Sequence, residues 1–189
     1  MKKIILVVCL LQLLTGRDGY KGFGLQVGEQ GTGIFYHQVW RSKPSLEWLF
    51  HGRIFDVKGE EFMMVYDPYY NQYRSVGDKY VMIVPLFGGA KYFPFAGQIA
   101  NNFSPYVSMM MGPVLTMDGY DSDKFSERWK RSQGLWTFGA NIGVGADFLM
   151  ANRMTISAGV GMDYLPMNEK VEGQDHFSGA IIHIAYNWR

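Results

Sequence analysis

Cysteine is almost missing from this chain: of 189 residues only Cys9 is one, and it lies in an apolar leader. A disulfide framework is therefore excluded, and stability must come from core burial, oligomerisation or membrane insertion. Excess charge of one sign is missing too. A formal net charge of +1 argues against a nucleic-acid binder built on a broad basic field. Beyond the first residues there is no apolar run near the roughly 20 residues that a membrane-spanning helix needs. Aromatic residues at 16% and 23 glycines are what the chain does have, a combination that favours strands and turns over a helical core.

The opening "MKKIILVVCLLQLLTG" pairs Lys2 and Lys3 with an apolar stretch from Ile4 to Leu14, the layout of a secretory leader. Residues 1–16 are expected to be removed on export. Cys9 lacks the small preceding residue of a lipoprotein signal, since Val8 stands there. Without the leader the chain has no cysteine, and its charge falls to about −1 with the loss of two lysines.

Residues 20–189 read as one domain of eight apolar-alternating strands. Successive side chains of a strand point to opposite faces, so alternation marks one oily and one polar side. In "LWTFGANIGVGADF" the oily row is Trp136, Phe138, Ala140, Ile142, Val144, Ala146 and Phe148. The opposite row holds Thr137, Gly139, Asn141, Gly143, Gly145 and Asp147, with Leu135 at its start. The same pattern recurs in "RMTISAGVGMDY" and in the closing "GAIIHIAYNWR", where Ile182, Ile184, Tyr186 and Trp188 share a face. Earlier strands are expected at 22–28, 32–41, 45–56, 79–93 and 104–117, with the faces of 32–41 and 104–117 unassigned. Pro85 is awkward there, because it cannot donate to a ladder. The long connections, 57–78, 118–133 and 165–176, all follow odd-numbered strands and so gather at one end of an antiparallel barrel, as in membrane barrels.

Two barrels fit eight half-oily strands: a soluble, lipocalin-like periplasmic carrier with the oily rows inside, or a transmembrane barrel with them outside. The polar rows favour the second. A water-facing exterior would carry many Lys and Glu, whereas a narrow eight-stranded interior favours Gly, Ser, Thr and Asn, which leave room for larger neighbours. Trp136, Phe148, Tyr164, Tyr186 and Trp188 sit at the ends of oily rows, where interfacial ring girdles lie.

"PYVSMMMG" after "GGAKYF", and "TFGANIGVGADF" followed by "RMTISAGVGMDY", resemble the small outer-membrane β-barrel domain family of Gram-negative bacteria over residues 20–189. The resemblance implies an all-β, eight-stranded, antiparallel up-and-down transmembrane barrel in the outer membrane. It also implies lipid as surroundings and the barrel-insertion machinery as a partner that reads a terminal aromatic residue. This chain departs from that pattern by ending Trp188–Arg189.

Inward parity collects Glu47, His51, Arg53, Lys91, Asp147, Arg153, Asp163, His183 and Arg189. Charges in a tight lumen need partners, so a salt-bridge plug is the expectation, a proton or ion path the sharper alternative. The bore is too tight for a general porin. The four histidines are dispersed and no nucleophile elbow is present; only His176 and Ser178 invite a catalytic reading. Asp118, Asp121 and Asp123 miss the spacing of a calcium loop. No enzyme, cofactor, metal site or nucleic-acid partner is expected. A structural or surface-interaction role is, through loops carrying Tyr66, Tyr69, Tyr70 and Tyr73, and Asp121, Asp123, Glu127, Arg128, Lys130 and Arg131.

Overall fold

The structure is a computed structural model that describes residues 19–29, 31–58, 63–67, 72–76, 80–99, 102–119, 133–150, 154–171 and 174–188. The expected leader, Arg153 and Arg189 lie outside the described residues, as do Tyr69, Tyr70 and the charged segment 121–131.

Eight strands close on themselves. They are β1 (Gly19–Gly28), β2 (Gly31–Lys43), β3 (Leu46–Lys58), β6 (Tyr80–Tyr92), β7 (Phe103–Gly119), β8 (Gln133–Leu149), β9 (Thr155–Tyr164) and β12 (Gly179–Trp188). Every neighbouring pair is antiparallel, and β1 pairs with β12 from Lys21↔Trp188 to Gly28↔Ile181, which leaves no free edge. Two connections expected to be plain loops contain hairpins instead: β4 (Met63–Asp67) with β5 (Gln72–Val76), and β10 (Pro166–Val171) with β11 (Gln174–His176). Both stand at the end of the barrel away from the termini.

Orientation follows the alternation. Val144, Val160 and Ile184 are 51%, 51% and 53% exposed, pointing away from the axis. The rows Phe23–Leu25–Val27, Ile34–Tyr36, Trp48–Phe50 and Val107–Met109–Met111 do the same. Oily rows converging on a ligand, as in a soluble carrier, are therefore not the arrangement found. Trp136 and Phe148 are twelve positions apart, roughly 30 Å of barrel height at the usual rise and a tilt near 40°.

The interior departs from the small, polar lining expected of it. That expectation holds on most of β8 and on β9, whereas the inward row of β12 also holds buried Ile181. On β2, β3 and β6 the inward positions include Phe35, Val39, Leu49, Phe55, Val81, Ile83 and Phe87, all buried. A closed ring must be filled, so small residues on one wall are matched by large ones on the facing wall. Near the hairpin end Leu165 and Met167, from the expected loop 165–176, and Phe177 just after it join Val81, Ile83 and Val114 in one apolar cluster. The Phe177 amide donates to Leu165 O at 2.9 Å, tying the base of that hairpin.

Pro85 lies inside β6, buried and opposite Val114 of β7. The β3–β6 register passes from Gly52↔Leu86 to Phe55↔Ile83, skipping Arg53 and Ile54. A missing N–H at Pro85 accounts for that gap in the ladder.

Candidate functional site: the polar bore

Below the apolar cluster the bore is crossed by ion pairs and hydrogen bonds. Arg53 on β3 reaches Asp163 on β9, Nη2 to Oδ1 at 2.8 Å, and its Nη1 donates to Gln26 Oε1 at 2.9 Å. Asn141 Nδ2 donates to the same Asp163 oxygen at 2.8 Å. The guanidinium also lies over the rings of Phe87 and Phe55, 5.1 and 5.6 Å from their centroids. Arginine suits this place because its flat cation satisfies a carboxylate with its edge and packs on rings with its face.

One layer nearer the termini a chain of side chains runs from β2 to β6. His37 Nε2 and Asn187 Oδ1 are 2.7 Å apart; Asn187 Nδ2 donates to Ser157 Oγ at 2.6 Å, and Ser157 donates to Asp147 Oδ1 at 2.6 Å. Lys91 Nζ closes the chain, 3.1 Å from both oxygens of Asp147 and 3.9 Å from the centroid of the Tyr106 ring. Tyr106 Oη meets His183 Nε2 at 3.0 Å. At the mouth, Glu47 is almost wholly enclosed: Arg41 holds its Oε1 and Tyr20 donates to its Oε2, all at 2.9 Å.

Glycines make these crossings possible. A Cβ on Gly22 would stand 2.0 Å from Asn187 Oδ1 and 2.3 Å from His37 Nε2. On Gly145 it would meet Tyr106 Oη at 2.6 Å, and on Gly159 the His183 ring at 2.8 Å. Each glycine on one strand is the floor over which a side chain from another strand passes.

Of the inward residues expected from parity, Glu47, His51, Arg53, Lys91, Asp147 and Asp163 are buried in the bore, and His183 joins them through Tyr106. His37 and Tyr106 were not anticipated, because the faces of β2 and β7 could not be read, and Tyr20 precedes the first strand expected at 22–28. The pair His176 and Ser178 belongs to the hairpin base: Ser178 Oγ accepts the Leu165 amide at 3.1 Å, while His176 is exposed. Side chains of Tyr66, Tyr73 and Asp118 lie outside the described set.

Between these layers a void of about 30 Å³, bordered by Phe35, His51 and Arg53, has the volume of one water molecule. A larger cavity of about 410 Å³ opens at the end that carries the termini. Among the described residues the middle of the bore is thus crossed by side chains, and the termini end opens into this cavity.

Solved structures with this architecture include Neisserial surface protein A (NspA), with a TM-score of 0.57 at 9% identity, covering 89% of this chain and 92% of that one. The fold is that of the small outer-membrane β-barrels. The N-terminal β-barrel domain of Pseudomonas aeruginosa OprF aligns with a TM-score of 0.51 and 13% identity over 92% of this chain and 100% of the other. Outer membrane protein W of E. coli aligns at 0.50 and 14%, over 92% and 98%. No protein-family model matches the sequence, and neither does any curated protein. At such low identities the likeness concerns the fold alone, and the small-barrel fold hosts more than one function.

Proposed function

We propose that this chain is an outer-membrane protein of a Gram-negative envelope whose barrel is a closed anchor with a structural or surface-interaction role. The exposed oily belt carries this reading. It circles the barrel, whereas soluble monomers rarely expose contiguous apolar patches beyond a few hundred Å². Trp48, Tyr92, Phe148 and Trp188 rim it at the termini end, and Trp136 and Tyr164 at the other, all at least partly exposed. Such rings suit the headgroup level on each side. The hairpins β4–β5 and β10–β11 then face outward from the cell, with the termini in the periplasm.

The filled bore supports an anchor rather than a route for solutes. Loop tyrosines and the mixed-charge segment 118–133 are the surface offered to a partner. Ser178 holds a backbone amide, a use that supports a non-enzymatic barrel. Trp188 continues the outward row of Ile184 and Tyr186, so it presents the aromatic signal to the insertion machinery despite the following Arg189.

Fractionation tests the reading. The protein is expected in outer membranes after alkaline washing, migrating faster in gel electrophoresis unheated than boiled. Release by osmotic shock as a soluble species would overturn it.

A further inference from the structure

We propose that the 410 Å³ cavity at the termini end binds a small uncharged amphiphile: a hydrocarbon body with one hydrogen-bonding head such as a hydroxyl, ester or amide. This goes beyond the anchor reading, which requires no ligand. The volume lies within the range of small-molecule sites.

The cavity is blind and two-toned. Its base is polar, made by Tyr20, Arg41, Glu47, Asp147 and Asn187. Its sides are apolar, with Phe93, Phe95 and Ile99 on the connection between β6 and β7, Phe103 at the start of β7 with Leu149 of β8 beside it, and Trp188 of β12. That connection is held as an arch. The Phe93 amide donates to Ser45 O at 2.9 Å, Gln98 N donates to Phe95 O at 3.0 Å, and Leu149 N donates to Asn102 O at 3.0 Å. Gly97, at φ 76°, turns the backbone between Phe95 and Ile99 in a region that disfavours other residues.

Charge at the base selects the head. Two carboxylates each have their own cation there: Arg41 on Glu47 and Lys91 on Asp147. The base is therefore balanced, and a ligand bringing its own charge would find no spare counter-charge among the described residues at the base. A neutral head is not penalised. It finds N–H groups on Arg41 that no described residue takes up: Nε and Nη2 go to Glu47, and the side chain is 47% exposed.

Access is built in. Phe103 and Trp188 border the cavity and also stand on outward rows beside the lipid-facing residues, while Leu149, on the inward row of Asp147, faces the mouth. Hydrocarbon therefore continues from belt to cavity, and an amphiphile can slide in tail-last. The ion-paired Lys91–Asp147 layer closes the inner end.

The test uses the full mature chain in phospholipid vesicles with decanol bearing a terminal diazirine, followed by mass mapping of adducts. Adducts on residues 93–103 are expected to vanish when plain decanol is added in excess. Adducts on the belt at Ile142, Val160 and Ile184 are expected to persist, because bulk lipid is not a saturable site. Decanoate and decylamine should compete only at roughly tenfold higher concentration than decanol. Ser104→Trp, which fills the cavity, should abolish the saturable adducts. Ala96→Trp repeats this outside the barrel ladder should the first variant not assemble. Adducts at 93–103 that are absent, that decanol does not displace, or that survive both tryptophans overturn the site. Equal competition by the charged probes overturns the uncharged class. Loss of belt labelling reports instead on the membrane reading.

Discussion

Arg53 and Asp163 meet at 2.8 Å although their strands, β3 and β9, stand four places apart in a ring of eight, on opposite walls of the barrel. Their pair spans the full bore. It binds the wall of large inward residues to the wall of small ones, so the closed ring is braced across its diameter as well as around its circumference.

Removing one end of this brace should be costly. Arg53→Met leaves Asp163 enclosed with only Asn141 as partner, and such unpaired buried charges cost about 3–5 kcal/mol. The double change Arg53→Met with Asp163→Leu should regain most of that loss. Denaturant unfolding in detergent reads both. A single variant as stable as the parent would show that the pair bears little load.

Gly145→Ala places a Cβ where Ala158 O stands at 2.5 Å and Tyr106 Oη at 2.6 Å. Backbone cannot yield as a side-chain tip can, so about 1–3 kcal/mol should be lost. Gly88, whose added Cβ meets nothing within 4 Å, is the control: Gly88→Ala should leave the midpoint unchanged or raise it.

Val144 lies one place past the middle of its outward row, which runs from Trp136 to Phe148, and pairs with Val160 of β9. Val144→Arg should impair insertion by about 2–4 kcal/mol, the cost of a cation near the bilayer midplane. The same arginine at Phe148, at the row's end, should cost about 0–1 kcal/mol. Folding titrations into vesicles compare the two. Equal costs would contradict a belt centred near Val144.

Closure of the bore is tested by solute-dependent swelling of proteoliposomes, with no swelling expected for a small sugar. Leu165→Ala or Phe177→Ala should lower stability by about 2–5 kcal/mol through cavity formation. Neither should open a path, because the Arg53–Asp163 layer remains beneath. Swelling of the parent protein would remove the closed-anchor reading.

Legibility differed from strand to strand. On β8 and β9 an oily residue alternates mostly with Gly, Ser, Thr or Asn, and parity alone assigns each side. On β2 and β7 both faces carry large apolar residues, such as Ile34 beside Phe35 and Met109 beside Met110, so period carries no contrast. His37 stayed hidden for that reason. The hairpins escaped notice because β4, β5 and β11 have five, five and three residues, too few for an alternation to stand out from turn composition.

Taken alone, the sequence determined the number of barrel strands, the outward direction of the oily rows and the end at which long connections collect. Those properties depend on neighbours along the chain, where a period of two and the chemistry of turns act locally. Closure decided the rest: that Arg53 finds Asp163, that His37 and Asn187 meet above Gly22, and that a blind cavity remains at the termini end. Such relations join residues up to 150 positions apart. They arise only when the strands share one bore, whose volume sets which side chains can cross it.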